Sequence, residues 1–318
     1  MLERPDPDAL LAGELGQWLA GEGTMRDAAR ARASRIQTLA IAAACVVAVL
    51  VLLVSRSGVV GALQMGFFVG AAGLGWAEWS KRPAIRAIKG GMNEAIARAL
   101  RMEYFVAARP GAEFQLARNF DMLPSFERSS FEDMWRGSIG DRSFQLYETK
   151  LEQRRNSGKN RSWETVFQGS LITLDFARRF HGVTLIERAG RRKKLFGLLG
   201  EKDAIILDGV RLGRVDMVDP RFDREFAVWT NDQVEARYLV HPDYVERLMA
   251  VEQAFAGEKV RGLFKDGQLL IVLESGNLFE SGSLDAGQDR QLLARTIEQF
   301  GSLTDLAARL NERARMSA

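Results

Sequence analysis

Apolar residues along this chain fall into contrasting patterns, and each predicts a different kind of element. Near the start, two unbroken apolar runs, Ile36 to Val54 and Val59 to Ala77, are separated only by Ser55, Arg56, Ser57 and Gly58. Each run amounts to roughly 28 Å of helix, close to the thickness of a bilayer's hydrocarbon core. One helix through both would be roughly 60 Å long, so the break reads as a turn and the pair as an antiparallel transmembrane hairpin. Ala40, Ala44 and Ala48 recur every fourth residue in the first run, as Ala62, Gly66 and Gly70 do in the second. Helices in lipid depend on close backbone approach, so these small residues are expected to form the packing seam.

The pattern changes on both sides of the hairpin. Before it, Asp6 and Pro7 suit the start of a short helix with Leu10, Leu11, Leu15 and Trp18 on one face, ended by the glycines at 21 and 23. After it, Ala84 to Tyr104 reads as a helix leaving the membrane, weakened at Gly90 and Gly91. Residues 105–140 show no clear period. From Arg142 the pattern becomes that of strands, with Glu164 to Phe176 and Val183 to Arg188 rich in Val, Ile, Leu, Thr and Phe. Asp208-Gly209 and Asp266-Gly267 each sit between apolar runs and predict two tight hairpins. Strands are also expected at Glu225 to Trp229 and Glu235 to Val240, then helices from Pro242 to Phe255 and from Asp285 to Arg313. Sheet and helices are segregated, so the fold class is α+β, largely antiparallel. The expected division is an N-terminal cytoplasmic segment over 1–35, the hairpin over 36–79 and a cytoplasmic domain over 80–318.

Charge orients the hairpin. Arg26, Arg30, Arg32 and Arg35 precede the first run and Lys81, Arg82, Arg86 and Lys89 follow the second, against Arg56 alone between them. Lys and Arg near span ends are retained on the cytoplasmic side, so both termini are expected there. A net charge of +3 over 318 residues is too small an excess to argue for nucleic acid. The single cysteine, Cys45, lies within the first run, which removes disulfides, thiolate metal clusters and a cysteine nucleophile from consideration.

Candidate chemistry is sparse. His181 beside Gly182 reads as a turn residue, and His241 before Pro242 as the start of a helix. Gly158 and Lys159 lack the remainder of a phosphate loop. The pairs Glu132 with Asp133 and Asp216 with Asp219 read as surface charge rather than as an acid and a base. No catalytic residue, cofactor or metal ligand is assigned. The feature best suited to a surface role is Arg191, Arg192, Lys193 and Lys194 followed by Phe196, since basic groups beside apolar ones suit an anionic headgroup zone. A second basic loop, Arg154, Arg155, Lys159 and Arg161, is a partner for that role.

Four stretches carry a resemblance: Phe131 to Gly137, Val166 to Gly169 with Phe180 to Thr184, Phe226 to Asp232, and Glu235 to Leu239 running on to Leu248. Together they resemble a bacterial family of two-span inner-membrane proteins with a cytoplasmic domain of unknown function. The resemblance implies a membrane-anchored cytoplasmic domain and supplies no catalytic residues. Within the last two stretches Asp232, Glu235 and Arg237 are expected either to form an ion-pair network at an element boundary or to line a ligand site. The function expected is a membrane-anchored binding or scaffold protein that contacts a protein partner and anionic lipid headgroups, with self-association allowed by the small-residue faces. The competing reading is a membrane-tethered enzyme acting on a lipid or envelope precursor through carboxylates. A transporter would need several copies to enclose a path.

Overall fold

A computed structural model describes residues 4–54, 58–139, 142–157, 160–176, 181–192, 203–217, 220–276, 278–279 and 282–316, with the backbone alone at 156–157, 160, 220–222 and 309–316. The chain divides into a helical unit, Asp6–Ala95 with Glu280–Ala294, and a sheet unit, Met1–Pro5 with Ile96–Phe279 and Arg295–Ala318.

The helical unit begins with α1 (Pro7–Ala12) and α2 (Glu14–Gly21), two short helices where one is expected. Asp6 caps α1 by accepting the Asp8 N–H, and Gly13 separates the two. Next come α3 (Gly23–Val54) and α4 (Gly58–Ala99), of 32 and 42 residues. Their most apolar windows reach mean hydropathies of 2.7 and 1.5, so by length and composition both can cross a membrane. The break at Ser55 to Ser57 lies outside the described residues.

Two expectations are corrected here. The second apolar run and the helix expected from Ala84 are one continuous α4, with Pro83 inside it. Nor is Gly91 a weak point: a Cβ there would come 2.1 Å from the Trp18 ring, so the glycine makes room for an indole. That contact, with the burial of Leu15 and Leu19, accounts for the apolar face of the N-terminal helices.

α3 and α4 pack with opposite sense. A Cβ on Gly66 would meet the Ala48 Cβ at 3.1 Å, one on Gly70 the Ala44 Cβ at 3.5 Å, and one on Gly73 the Ala40 Cβ at 2.2 Å. Ala40 and Ala62 are buried, while Ala44 and Ala48 are partly so. Gly73, which the four-residue spacing did not pick out, makes the closest approach of the three.

The sheet unit is α+β. Its strands are β1 (Glu103–Ala107), β2 (Arg128–Ile139), β3 (Arg142–Ser157), β4 (Asn160–Asp175), β5 (Thr184–Arg188), β6 (Ala204–Leu207), β7 (Val210–Val215), β8 (Phe226–Thr230), β9 (Glu258–Lys265) and β10 (Gln268–Glu274). They form one antiparallel sheet in the order β1-β2-β3-β4-β10-β9-β5-β8-β7-β6. Interspersed are α5 (Ala112–Asn119), α6 (Pro220–Glu225), α7 (Gln233–Leu239) and α8 (Pro242–Ala254), and α9 (Asp289–Met316) begins in the helical unit and continues into this one.

Both Asp-Gly hairpins form, β6 with β7 and β9 with β10. Asp208 and Gly209 have φ of 48° and 74°, Asp266 and Gly267 of 53° and 81°, the left-handed pair that a type I′ turn needs. The unassigned stretch 105–140 contains α5 and β2 and most of β1. Periodicity is broken in β2 because its register shifts between Glu132 and Trp135, around Asp133 with φ of 53°. One sheet face packs on α5 and the turn after it through Phe114, Phe120, Met122, Tyr147, Leu185 and Trp229. Elsewhere in the unit Trp135, Phe144, Phe279 and Phe300 form an aromatic cluster with ring centroids 4.5–6.2 Å apart, and Tyr244 of α8 meets Phe264.

Candidate functional site

β3 and β4 are each 16 residues long, and their neighbours are shorter. β2 accompanies β3 only to Arg128 opposite Glu152, and β10 accompanies β4 only to Glu274 opposite Gly169. Beyond those pairs β3 and β4 continue together as a two-stranded arm, as far as Ser157 opposite Asn160. The arm carries Trp163, 43% exposed, with the guanidinium groups of Arg128 and Arg154 each 5.5 Å from its ring centroid. Arg154 lies directly opposite Trp163 in the ladder, and Arg155 pairs with Glu164 at 3.2 Å. Arg128 also meets Glu152 at 2.9 Å. An exposed cation–π contact contributes about 0.5–1 kcal/mol, enough to hold a Trp and two Arg side chains in one surface patch.

A cleft opens at the base of the arm. Where β10 stops, β4 continues on one side, and the residues leading into β9 lie on the other. The gap between them is about 350 Å³, lined by Thr165, Val166, Phe167 and Gln168, by Ala256 and Glu258, and by Glu274 to Gly276. The Gln168 carbonyl accepts the Ser275 N–H at 2.9 Å, closing the upper end. Gly169 is obligatory there, since a Cβ would come 2.0 Å from the Leu273 carbonyl oxygen.

In its described half the basic segment expected at a membrane surface carries ion pairs. Arg191 and Arg192 turn onto the fully buried Glu187 of β5, at 2.9 Å and 2.6 Å, and Arg192 reaches Asp121 at 3.2 Å. Arg192 is 12% exposed, and its charge is held inside the fold. Lys193, Lys194 and Phe196 lie outside the described residues. Arg261 joins this cluster, donating to the Met122 carbonyl and lying 3.9 Å from Glu274. Burial and then the nearby Arg191 charge lower its pKa to about 10, opposed by Glu274, Glu187 and Asp121. Burial also raises the phenol pKa values of Tyr147 and Tyr244.

Asp232, Glu235 and Arg237 divide between two roles. The expected strand from Glu235 is the helix α7, because Asp232 caps it by accepting the Val234 and Glu235 N–H groups, each at 3.0 Å. Asp232 followed by Glu235 at the third helical position has the spacing of a capping box, the signal that would have marked a helix. Here Glu235 turns instead to another loop, accepting the His181 N–H at 3.0 Å and the Gly182 N–H at 2.7 Å. Asn231 accepts the Val183 N–H at 2.7 Å, and a Cβ on Gly182 would meet Asp232 at 2.8 Å. The stretches around 182 and 232 are therefore one interlocked joint. Arg237 stands exposed on α7, apart from it. His241 caps α8, its Nδ1 accepting the Tyr244 N–H at 3.3 Å.

Asp133 is buried and accepts from the Tyr104 hydroxyl, Asp216 is exposed, and Asp219 is outside the described residues. Among the described residues no group of three or more His, Cys, Asp or Glu is placed to hold a metal ion. In the helical unit sequence reasoning missed a different feature: Arg26 makes a two-pronged bond to Asp289 at 2.8 and 2.9 Å, with side chains 2% and 8% exposed. Nothing local marks that pair, since its members are 263 positions apart.

No curated protein matches the chain. A solved structure that aligns with it is the crystal structure of the mycobacterial trehalose monomycolate transport factor A, TtfA, with a TM-score of 0.35 and 11% identity, covering 70% of this chain and 96% of that one. At that score the likeness carries no argument. The family model described as "Protein of unknown function (DUF3137)" matches residues 165–312. Three of the four stretches that carried the sequence resemblance fall inside it, and Phe131 to Gly137 precedes it. Residues 165–312 are thus similar to the domain of an uncharacterised family.

Proposed function

We propose that this chain is a two-span protein of a bacterial inner membrane, with both termini in the cytoplasm, whose sheet domain is a binding module that works against the inner leaflet. The arm formed by β3 and β4 is its contact with anionic headgroups. The observation that carries this reading is the exposed Trp163 between Arg128 and Arg154. Trp favours the bilayer interface, and each Arg or Lys close to an anionic surface contributes about 1 kcal/mol. The helices α3 and α4 supply the tether, and the excess of Arg and Lys outside the two apolar runs supports the orientation.

The test uses the full chain in proteoliposomes, with Cys45→Ala and a fluorophore on Ser162→Cys. With phosphatidylglycerol in the bilayer, emission should shift to the blue and be quenched by spin-labelled lipid. In phosphatidylcholine alone, or with Arg128→Glu and Arg154→Glu together, both effects should vanish. Equal emission in the two bilayers would refute the lipid contact. A phosphatase fusion at Arg56 should be active and one after Ala318 inactive; the reverse would refute the orientation.

A further inference from the structure

Among the described residues, no strand fills the cleft at the end of β10. The strand order β4-β10-β9 puts β10 between two neighbours, yet β10 ends at Glu274. On one side β4 runs on from Phe167 to Arg161, its other edge paired with β3, and no described strand lies along the edge that β10 has left. On the opposite side Ala256 and Glu258 form the wall. A backbone edge with unpaired N–H and C=O groups is a template for another strand.

The charges at the mouth of this slot indicate what fills it. Glu258 and Glu274 are direct cross-strand partners, and like charges so placed disfavour one another. Glu274 is compensated by Lys259 at 2.9 Å and by Arg261 at 3.9 Å. Among the described residues Glu258 has no such cation. At the far end of the edge stand the exposed Trp163 and Arg161.

We propose that this slot receives an extended peptide segment of a partner protein, which adds to the sheet as a strand antiparallel to β4 and in the track of β10. That direction places the start of the segment at Glu258 and its end near Arg161. The segment that fits has Lys or Arg first, alternating apolar residues in its middle on the face that carries Trp163, and a carboxylate at its end. This proposal shares Trp163 with the lipid contact, and because its readout contains no lipid the two can fail separately.

The experiment measures fluorescence polarisation of a labelled peptide, Lys-Thr-Val-Thr-Val-Thr-Val-Glu, titrated with the full chain in detergent micelles. Binding should weaken about tenfold, equivalent to 1.4 kcal/mol, with Glu258→Lys, and a Glu-first peptide should then prefer the variant. Methylating alternate backbone nitrogens of the peptide should abolish binding, because strand addition needs those donors. The proposal is overturned if the unmodified chain does not bind, if N-methylation or Glu258→Lys has no effect, or if Thr165→Cys copies cross-link to one another, which would give the slot to a second copy.

Discussion

Arg26 and Arg154 each belong to a basic stretch, and the sequence offers little to separate them. The first lies among Arg26, Arg30, Arg32 and Arg35, the second beside Arg155 and close to Arg161. In the structure Arg26 is buried and bonded by both prongs to Asp289, while Arg154 lies over an exposed indole. The difference is made by whether a distant carboxylate arrives. Glu187 and Asp121 likewise pair with Arg191 and Arg192, of which Arg192 is the more enclosed.

The comparison can be broken most forcefully at Arg26. Removing one partner of a buried ion pair strands the other, so Arg26→Ala should cost about 3–5 kcal/mol in chemical unfolding of the full chain in micelles. The apolar pair Arg26→Met with Asp289→Leu should recover most of that loss, because it removes both charges. A small effect of Arg26→Ala would mean that water reaches the pair. Next is the seam between α3 and α4, where overpacking costs about 1–3 kcal/mol. Gly73→Leu should reduce cysteine cross-linking between the two helices more than Gly70→Leu does, following the approaches of 2.2 and 3.5 Å.

Asp232→Ala should lower the unfolding midpoint by the worth of a helix cap, about 1 kcal/mol, and Asp232→Asn should retain most of it. Arg128→Ala is expected at the bottom of the scale for stability, below about 1 kcal/mol, since its ion pair and ring contact are exposed. Its vesicle affinity should nevertheless fall about fivefold, a loss of about 1 kcal/mol. A stability loss equal to that of Arg26→Ala would erase the distinction between the two kinds of arginine.

Features with a local cause were legible in the sequence. The two apolar runs, the Asp-Gly turns and the helix started by Pro242 each depend on residues within a few positions, and each has its counterpart in the structure. What escaped depends on distance or on a broken period. β2 was hidden because its register shift at Asp133 interrupts the alternation. The helix α7 was mistaken for a strand because Val234 to Val240 mixes apolar and polar residues without a clear period, although Asp232 and Glu235 already signalled a cap. The arm was visible as basic residues alone; that Trp163 joins them follows from cross-strand pairing, which places Arg154 opposite it. The slot beside β10 could not be read at all, because it arises from strands of unequal length.

The separation of Arg26 from Asp289 also has a consequence in time. At about 5–20 residues per second, roughly 13–50 s of synthesis pass between the two residues. Through that interval Arg26 is an uncompensated cation beside the first apolar run, and in the proposed orientation it helps retain the N-terminus in the cytoplasm while the membrane segments insert. Only when α9 emerges does its carboxylate draw the same guanidinium into the interior. In that orientation one side chain would serve insertion first and fasten the finished fold later. Loss of Asp289 would spare the first task and abolish the second.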